Sequence, residues 1–164
     1  MSNVDETLAP GERAEHAAAR LAEAKAAAVA VHDTRPVLAA DTLVVCEGRV
    51  LGKPGSTEEA ADMLRLLSGR AHEVVTGVCL FAGGAARTEV AKTTVHFAPL
   101  SADEIAWYVA TGEPMDKAGA YHVDGRGALF ITGIAGSSSN VAGLPVRVVL
   151  ELARAAGVLG FFPA

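Results

Sequence analysis

Aromatic side chains are scarce: one Trp, two Tyr and five Phe in 164 residues. A hydrophobic fraction of 51%, much of it alanine, must then build a core from Val, Leu, Ile and Ala, with little aromatic packing. Cysteine is nearly absent too. Cys46 and Cys79 each lie in an apolar segment without C-x-x-C spacing, which excludes a zinc ribbon or disulfide framework and leaves two small buried side chains. Runs of Lys or Arg are missing, and the net charge is −5. A binder of polymeric nucleic acid, which needs a basic face, is excluded; a nucleotide ligand, which needs only a few local cations, is not. No apolar run approaches a membrane span, and the polar, acidic amino end does not read as a signal peptide. The expectation is a soluble, cytoplasmic single domain that buries about two-thirds of its unfolded surface.

What is present is organised around Val37-Leu38-Ala39-Ala40-Asp41-Thr42-Leu43-Val44-Val45. Such a run predicts a strand buried on both faces, of the parallel-sheet kind. Asp41 interrupts it, and a carboxylate in that setting requires a cation, a metal, donor groups or water beside it. Lys53 follows on a loop between Gly52 and Pro54. The pair points to an anionic, metal-carrying ligand; the alternative is that Asp41 ends a strand and caps a turn while Lys53 is solvated.

Along the chain, residues 11–31 predict a helix with Ala14, Ala17, Ala18, Leu21, Ala24 and Ala28 inward and Lys25 at the rim. Lys25 either snorkels to water or borders the Asp41 strand. Ser56-Thr57-Glu58-Glu59 and Ser101-Ala102-Asp103-Glu104 are capping boxes opening two further helices. The first carries Ala60, Met63, Leu64 and Leu67 on its apolar face. Residues 73–81 predict an apolar strand broken at Thr76-Gly77, and the alternation over 88–97 predicts an antiparallel one. Trp107 and Tyr108 read as packing residues, and His72 as a surface one. A loop dense in charge and glycine spans 111–121, a short strand 128–132, a polar turn 136–140, and a last helix 146–156 with Pro145 at its first position. The class is α/β with a mixed, twisted sheet.

Glu6, Lys25, Asp41, Lys53, Asp116 and Lys117 are ionisable groups in loops or apolar segments. Three acids and three lysines suit metal-assisted attack on a phosphoryl group: carboxylates hold a hard cation and orient water, and lysines neutralise phosphate oxygens. No Ser-His-Asp spacing supports acyl transfer.

An ordered series of strings resembles the Maf family of nucleoside triphosphate pyrophosphatases. It runs from Val4-Asp5-Glu6 through Ala40-Asp41-Thr42, Leu51-Gly52-Lys53-Pro54 and the stretch from Met63 to Gly77. Thr111-Gly112-Glu113-Pro114-Met115-Asp116-Lys117 and Asn140-Val141-Ala142-Gly143-Leu144-Pro145 complete it. The resemblance implies hydrolysis of a nucleoside triphosphate to the monophosphate and pyrophosphate with a divalent metal, Mg2+ or Mn2+. It implies an α/β fold akin to the inosine triphosphatases, with a cleft between two lobes and often dimeric. On that model Asp41 accepts the proton of the attacking water or is a metal-bound carboxylate that orients it, and Glu6 helps hold the metal. Lys25 and Lys53 bind phosphate oxygens, Asp116 and Lys117 line the cleft, and Thr42 matches a base-selecting position, resembling the branch that acts on dTTP and UTP.

Two departures from the family pattern follow. Members begin with a strand and a Ser-x-Ser-Pro-Arg-Arg loop, which do not precede Val4-Asp5-Glu6 here. Their loss would remove charge-assisted contacts of about 1.5–3 kcal/mol each and leave a sheet edge uncovered. It would make the alternative a weak or inactive nucleotide-binding, regulatory relative. Where many members have Ile-Gln-Gly, this chain has Val123-Asp124-Gly125; Asp124 is then expected at the substrate, where an ionised carboxylate only accepts hydrogen bonds.

Overall fold

The computed structural model describes residues 4–32 and 34–158. Helix α1 (Ala14–Ala30) leads to strand β1 (Val37–Cys46), which turns at Glu47-Gly48, both at positive φ, into the short β2 (Arg49–Leu51). Positive φ at both central residues gives the tight hairpin twist that strands need. Ser56 caps α2 (Thr57–Leu67) by accepting from the Glu59 N–H, and Ala60, Met63, Leu64 and Leu67 form its buried face, as their spacing predicts. Strands β3 (Ala71–Ala82) and β4 (Ala85–Phe97) form a long hairpin. The complete Ser101/Glu104 capping box opens α3 (Ala102–Ala110). Three 3-10 turns follow, at Glu113–Asp116, Ala118–Ala120 and Arg126–Phe130, then β5 (Ile131–Ala135), α4 (Ser138–Val141) and α5 (Val146–Ala155). The polar turn expected at 136–140 thus closes into a short helix. The strand expected from Ala128 starts three residues later, behind a 3-10 turn, and Pro145 takes the capping position of α5 instead of its first turn.

The sheet has the order β2-β1-β3-β4-β5, and each ladder is antiparallel. The α/β class holds, but among the described residues the sheet is antiparallel throughout instead of mixed, and β1 does not pair in the parallel way its apolar run predicts. Its apolar run has another cause: on one face Ala39 joins the cluster of Ala22 and Ala26 of α1, and on the other Val44 and Cys46 join the core that holds Ala60, Met63, Leu64 and Leu67 of α2. Helices on both faces make a strand apolar whatever its direction. β2 pairs only with Val44, Val45 and Cys46, so along residues 37–43 the outer edge of β1 has no strand partner among the described residues.

The buried face of α1 comprises Ala17, Ala18, Leu21, Ala22 and Ala26. It is rotated from the expected face: Ala24 is half-buried and Ala28 exposed. A helix so rich in alanine offers little contrast between its stripes, and the contact with β3 chooses among them.

Four of the aromatic residues are gathered in one place. Phe97, Tyr108, Tyr121 and Phe130 meet edge to face, with ring centroids 4.9 Å apart for Phe97–Tyr121 and 5.0 Å for Tyr108–Phe130. Trp107 stays half-exposed at 47%. His72, expected at the surface, is 2% exposed inside this cluster, 5.0 Å from the Phe97 ring. Its Nε2 meets the Tyr121 hydroxyl at 2.9 Å, which is how a polar ring is accommodated there. Both cysteines are free and buried, as expected. Among the described residues no helix is long and apolar enough to cross a membrane.

Candidate functional site

A cleft of about 600 Å³ opens where α1, the unpartnered edge of β1, the loop after β2 and the 3-10 turns converge. Its position follows from close packing. Gly77 of β3 lies against the backbone of Ala18 so tightly that a Cβ on it would stand 2.2 Å from the Ala18 carbonyl oxygen. Asp41 is the register partner of Gly77. The helix seated on that glycine therefore passes beside Asp41, and its Lys25 reaches across.

Lys25 Nζ lies 2.5 Å from Asp41 Oδ1 and 2.7 Å from Glu6 Oε1. The Asp41 side chain is only 10% exposed, so the ammonium is the counter-charge its burial demands. Partial burial works against the charge on Lys25, yet the contacts with Asp41 and Glu6 outweigh it and raise the lysine above its ordinary pKa.

Lys53 and Lys117 supply the other cations lining the cleft. Lys117 Nζ lies 2.6 Å from Asp116 Oδ1, and this bond, with a smaller pull from Lys53, holds the Asp116 carboxyl below its usual range. The Gly119 N–H donates to the Gly52 carbonyl at 3.0 Å, tying the Lys117 segment to the Lys53 loop. Gly119 has φ +70 and faces Val44, where a Cβ would come within 2.9 Å. That is the structural reason for glycine in this charged loop. Lys53 is exposed and makes no ion pair among the described residues.

Asp41 and Thr42 are adjacent and so point to opposite faces of β1, yet both line the cleft. They can do so because the cleft runs around the open edge of the strand. On the far face, Thr42 Oγ1 lies 3.0 Å from Thr76 Oγ1, and Thr76 donates to the Asn140 carbonyl at 3.3 Å. Asn140 is fully buried and its Nδ2 donates to Val74 O and Thr93 Oγ1 at 3.1 and 3.0 Å.

The cleft thus brings together Glu6, Lys25, Asp41, Thr42, Lys53, Asp116 and Lys117. It does not bring in Asp124, which is exposed and lies outside the lining, while its neighbour Val123 contributes to it. A one-residue step at the end of a turn is enough to send a side chain to the other side. Sequence reasoning missed Thr76, Asn140 and Glu113. Glu113 accepts from Tyr108 OH at 2.8 Å and from the Arg126 and Gly127 N–H groups at 3.1 Å each, anchoring the turns after α3. Thr76 was legible as the interruption of an apolar strand and as part of the stretch from Met63 to Gly77 that carries the resemblance, with no role attached to it.

Two carboxylates aimed at one point suit a hard divalent cation, since magnesium is commonly held by one or two carboxylates plus substrate phosphates. Glu6 and Asp41 both reach the Lys25 ammonium, so their oxygens do converge on one point. No group of three or more His, Cys, Asp or Glu side chains suited to a metal is found among the described residues, so phosphate and water oxygens would complete the shell.

A family model described as "Maf-like protein" matches residues 1–156. A dTTP/UTP pyrophosphatase of Anaeromyxobacter sp. (strain Fw109-5) is 52% identical over 161 residues, covering 95% of this chain and 77% of the relative. The dTTP/UTP pyrophosphatase of Moorella thermoacetica is 52% identical over 163 residues, covering 96% and 82%. That of Myxococcus xanthus is 48% identical over 158 residues, covering 96% and 80%.

Proposed function

Because this chain belongs to the Maf family, we propose that its cleft hydrolyses a nucleoside triphosphate, dTTP or UTP, to the monophosphate and pyrophosphate. The observation that carries the reading is the position of Asp41: a nearly buried carboxylate at an open strand edge, with Lys25, Lys53 and Lys117 around the same cleft. In an acidic protein such a concentration of ammonium groups selects a polyanion. The names of the relatives supply the nucleotide class.

In the reaction, water attacks the α-phosphorus. A new P–O bond forms to the water oxygen, the bridging bond between the α-phosphorus and the β-phosphate oxygen breaks, and pyrophosphate leaves with that electron pair. Asp41 orients the water and accepts its proton. Lys25 sits at the same carboxylate and neutralises the α-phosphate as charge builds there. Lys53 and Lys117, on the loops tied through Gly52 and Gly119, hold the β- and γ-phosphates and stabilise the departing group. Glu6 and Asp41 would hold Mg2+ or Mn2+, displacing the ammonium from between them. Such an ion, when bound, supplies charge neutralisation and aligns the polyphosphate.

The deciding experiment offers the purified chain UTP, dTTP, CTP, ATP and GTP with magnesium or manganese and follows pyrophosphate and monophosphate. The expected result is equimolar release of both from UTP and dTTP, abolished by a chelator. Release of inorganic phosphate with a nucleoside diphosphate would place the cut at the wrong bond, and binding without release would make the chain a nucleotide sensor.

A further inference from the structure

Glu6 reaches the cleft from a stretch, residues 4–13, that carries no helix or strand. Its side chain is 60% exposed, so packing does not hold it, and its aim depends on how the chain around it is fastened. Asp5 Oδ1 accepts the Thr7 N–H at 2.9 Å, which puts Glu6 at the centre of a small turn. Beyond that turn, Leu8 packs against Ala17, Ala18 and Leu43, and the Glu12 carboxylate accepts the Ala9 N–H at 3.0 Å. Arg20, on the same helix as Lys25, ties these pieces together. Its Nε and Nη2 donate to the two Glu12 oxygens at 2.8 and 2.9 Å, and Nη2 also donates to the Thr7 carbonyl at 3.2 Å. A planar guanidinium suits this, because its fork engages both oxygens of one carboxylate and keeps a further donor for the backbone.

We propose that Arg20 is a positioning residue for the carboxylate pair of the cleft: by holding Glu12 and the Thr7 carbonyl together it keeps Glu6 directed at Asp41, and so sets the affinity of the pair for a divalent cation. Arg20 is not among the residues that line the cleft; it acts through the residue next to Glu6. An exposed ion pair adds little to stability on its own, so the fork has more to do with where Glu6 points than with whether the chain folds. The direction of the effect separates this role from simple electrostatics. The Arg20 charge interacts with Asp5 and Asp41, and a positive charge near two carboxylates repels a cation. If charge were its whole influence, removing it would tighten the ion; a positioning role predicts weaker binding. The inference rests on the reading of Glu6 and Asp41 as the pair that holds the ion, and adds the group that keeps them convergent.

The test titrates Mn2+ into the whole chain with the non-cleavable α,β-methylene analogue of UTP present. Free ion is read by electron paramagnetic resonance against the analogue without protein. Arg20→Met is expected to weaken Mn2+ by about tenfold or more, the scale of losing an outer group that orients a metal ligand. The Mn2+ concentration giving half-maximal pyrophosphate release should rise by the same factor, with the rate recovering as Mn2+ is raised; a merely destabilised chain would not recover. Arg20→Lys keeps the charge but not the fork, and should still lose about threefold or more. Unchanged or tighter Mn2+ binding in a folded Arg20→Met chain overturns the proposal. Should that variant fail to fold, wild-type affinity in Arg20→Lys is equally fatal. A wild-type chain that binds no Mn2+ beyond what the analogue takes up sinks the carboxylate pair as an ion site and this proposal with it. One that binds Mn2+ but releases no pyrophosphate from UTP sinks the hydrolytic reading alone.

Discussion

Gly77 and Ala18 are in backbone contact: a side-chain carbon at Gly77 would stand 2.2 Å from the Ala18 carbonyl oxygen and 2.6 Å from the Ala19 nitrogen. No flexible side-chain end is available to yield there. Gly77→Ala should therefore lift α1 off β3 and destabilise the protein by about 3 kcal/mol, read from a urea unfolding curve. Pyrophosphate release should fall further than stability does, because Lys25 travels with α1. An alanine variant of wild-type stability would show that the helix can slide without cost.

Asp41→Asn keeps the shape of the side chain but removes its charge and most of its basicity. Pyrophosphate release from UTP should drop by about 10²–10⁴-fold, the usual contribution of a positioned base. The fold should persist, since Lys25 retains Glu6 at 2.7 Å. Wild-type turnover in this variant would remove Asp41 from the proposed chemistry.

Lys53 is exposed and makes no ion pair among the described residues, so its replacement should hardly affect folding. Lys53→Ala is expected to change unfolding free energy by less than about 0.5 kcal/mol, while kcat/KM for UTP falls by about tenfold or more. Steady-state kinetics beside a denaturation curve reads both. A loss of stability matching the loss of activity would mean that the side chain is structural.

His72 should make stability depend on pH. Burial, with a smaller push from His96, lowers its pKa from 6.5 to about 4. The native ring stays neutral where the unfolded one takes up a proton, so between pH 6.5 and 4 the unfolded state binds more protons and stability falls as pH falls. The contribution is fully present above pH 6.5. Its loss amounts to about 3 kcal/mol once pH reaches 4. Glu12 and Glu15, held near 2 against an ordinary 4.5 by hydrogen bonds from Arg20 for Glu12 and, chiefly, from its own backbone for Glu15, add their own loss as pH falls through 4.5 toward 2, so they overlap the lower end of that window. The slope between pH 6.5 and about 5.5, above the titration of the carboxylates, therefore reports chiefly on His72. His72→Gln should flatten it in urea unfolding curves; an unchanged slope would place the protonation elsewhere.

Much of this could be read from residues close together in the chain. Ser56 and Ser101 mark helix starts because the donors they satisfy lie three residues on. Asp41 declares its need for a cation because it stands in an apolar run, and Lys25, on the rim of the helix before it, meets that need at 2.5 Å. What could not be read depends on distant partners. β1 is apolar because α1 packs on one face and the core with α2 on the other, so its composition carried no information about strand direction. His72 is buried because Phe97 and Tyr121, remote in sequence, close around it, and Asp124 turns outward at the end of a folded segment. The contacts of Thr42 with Thr76 and of Thr76 with the Asn140 carbonyl, at 3.0 and 3.3 Å, are likewise decided only by the tertiary structure, because folding alone brings β1, β3 and α4 side by side.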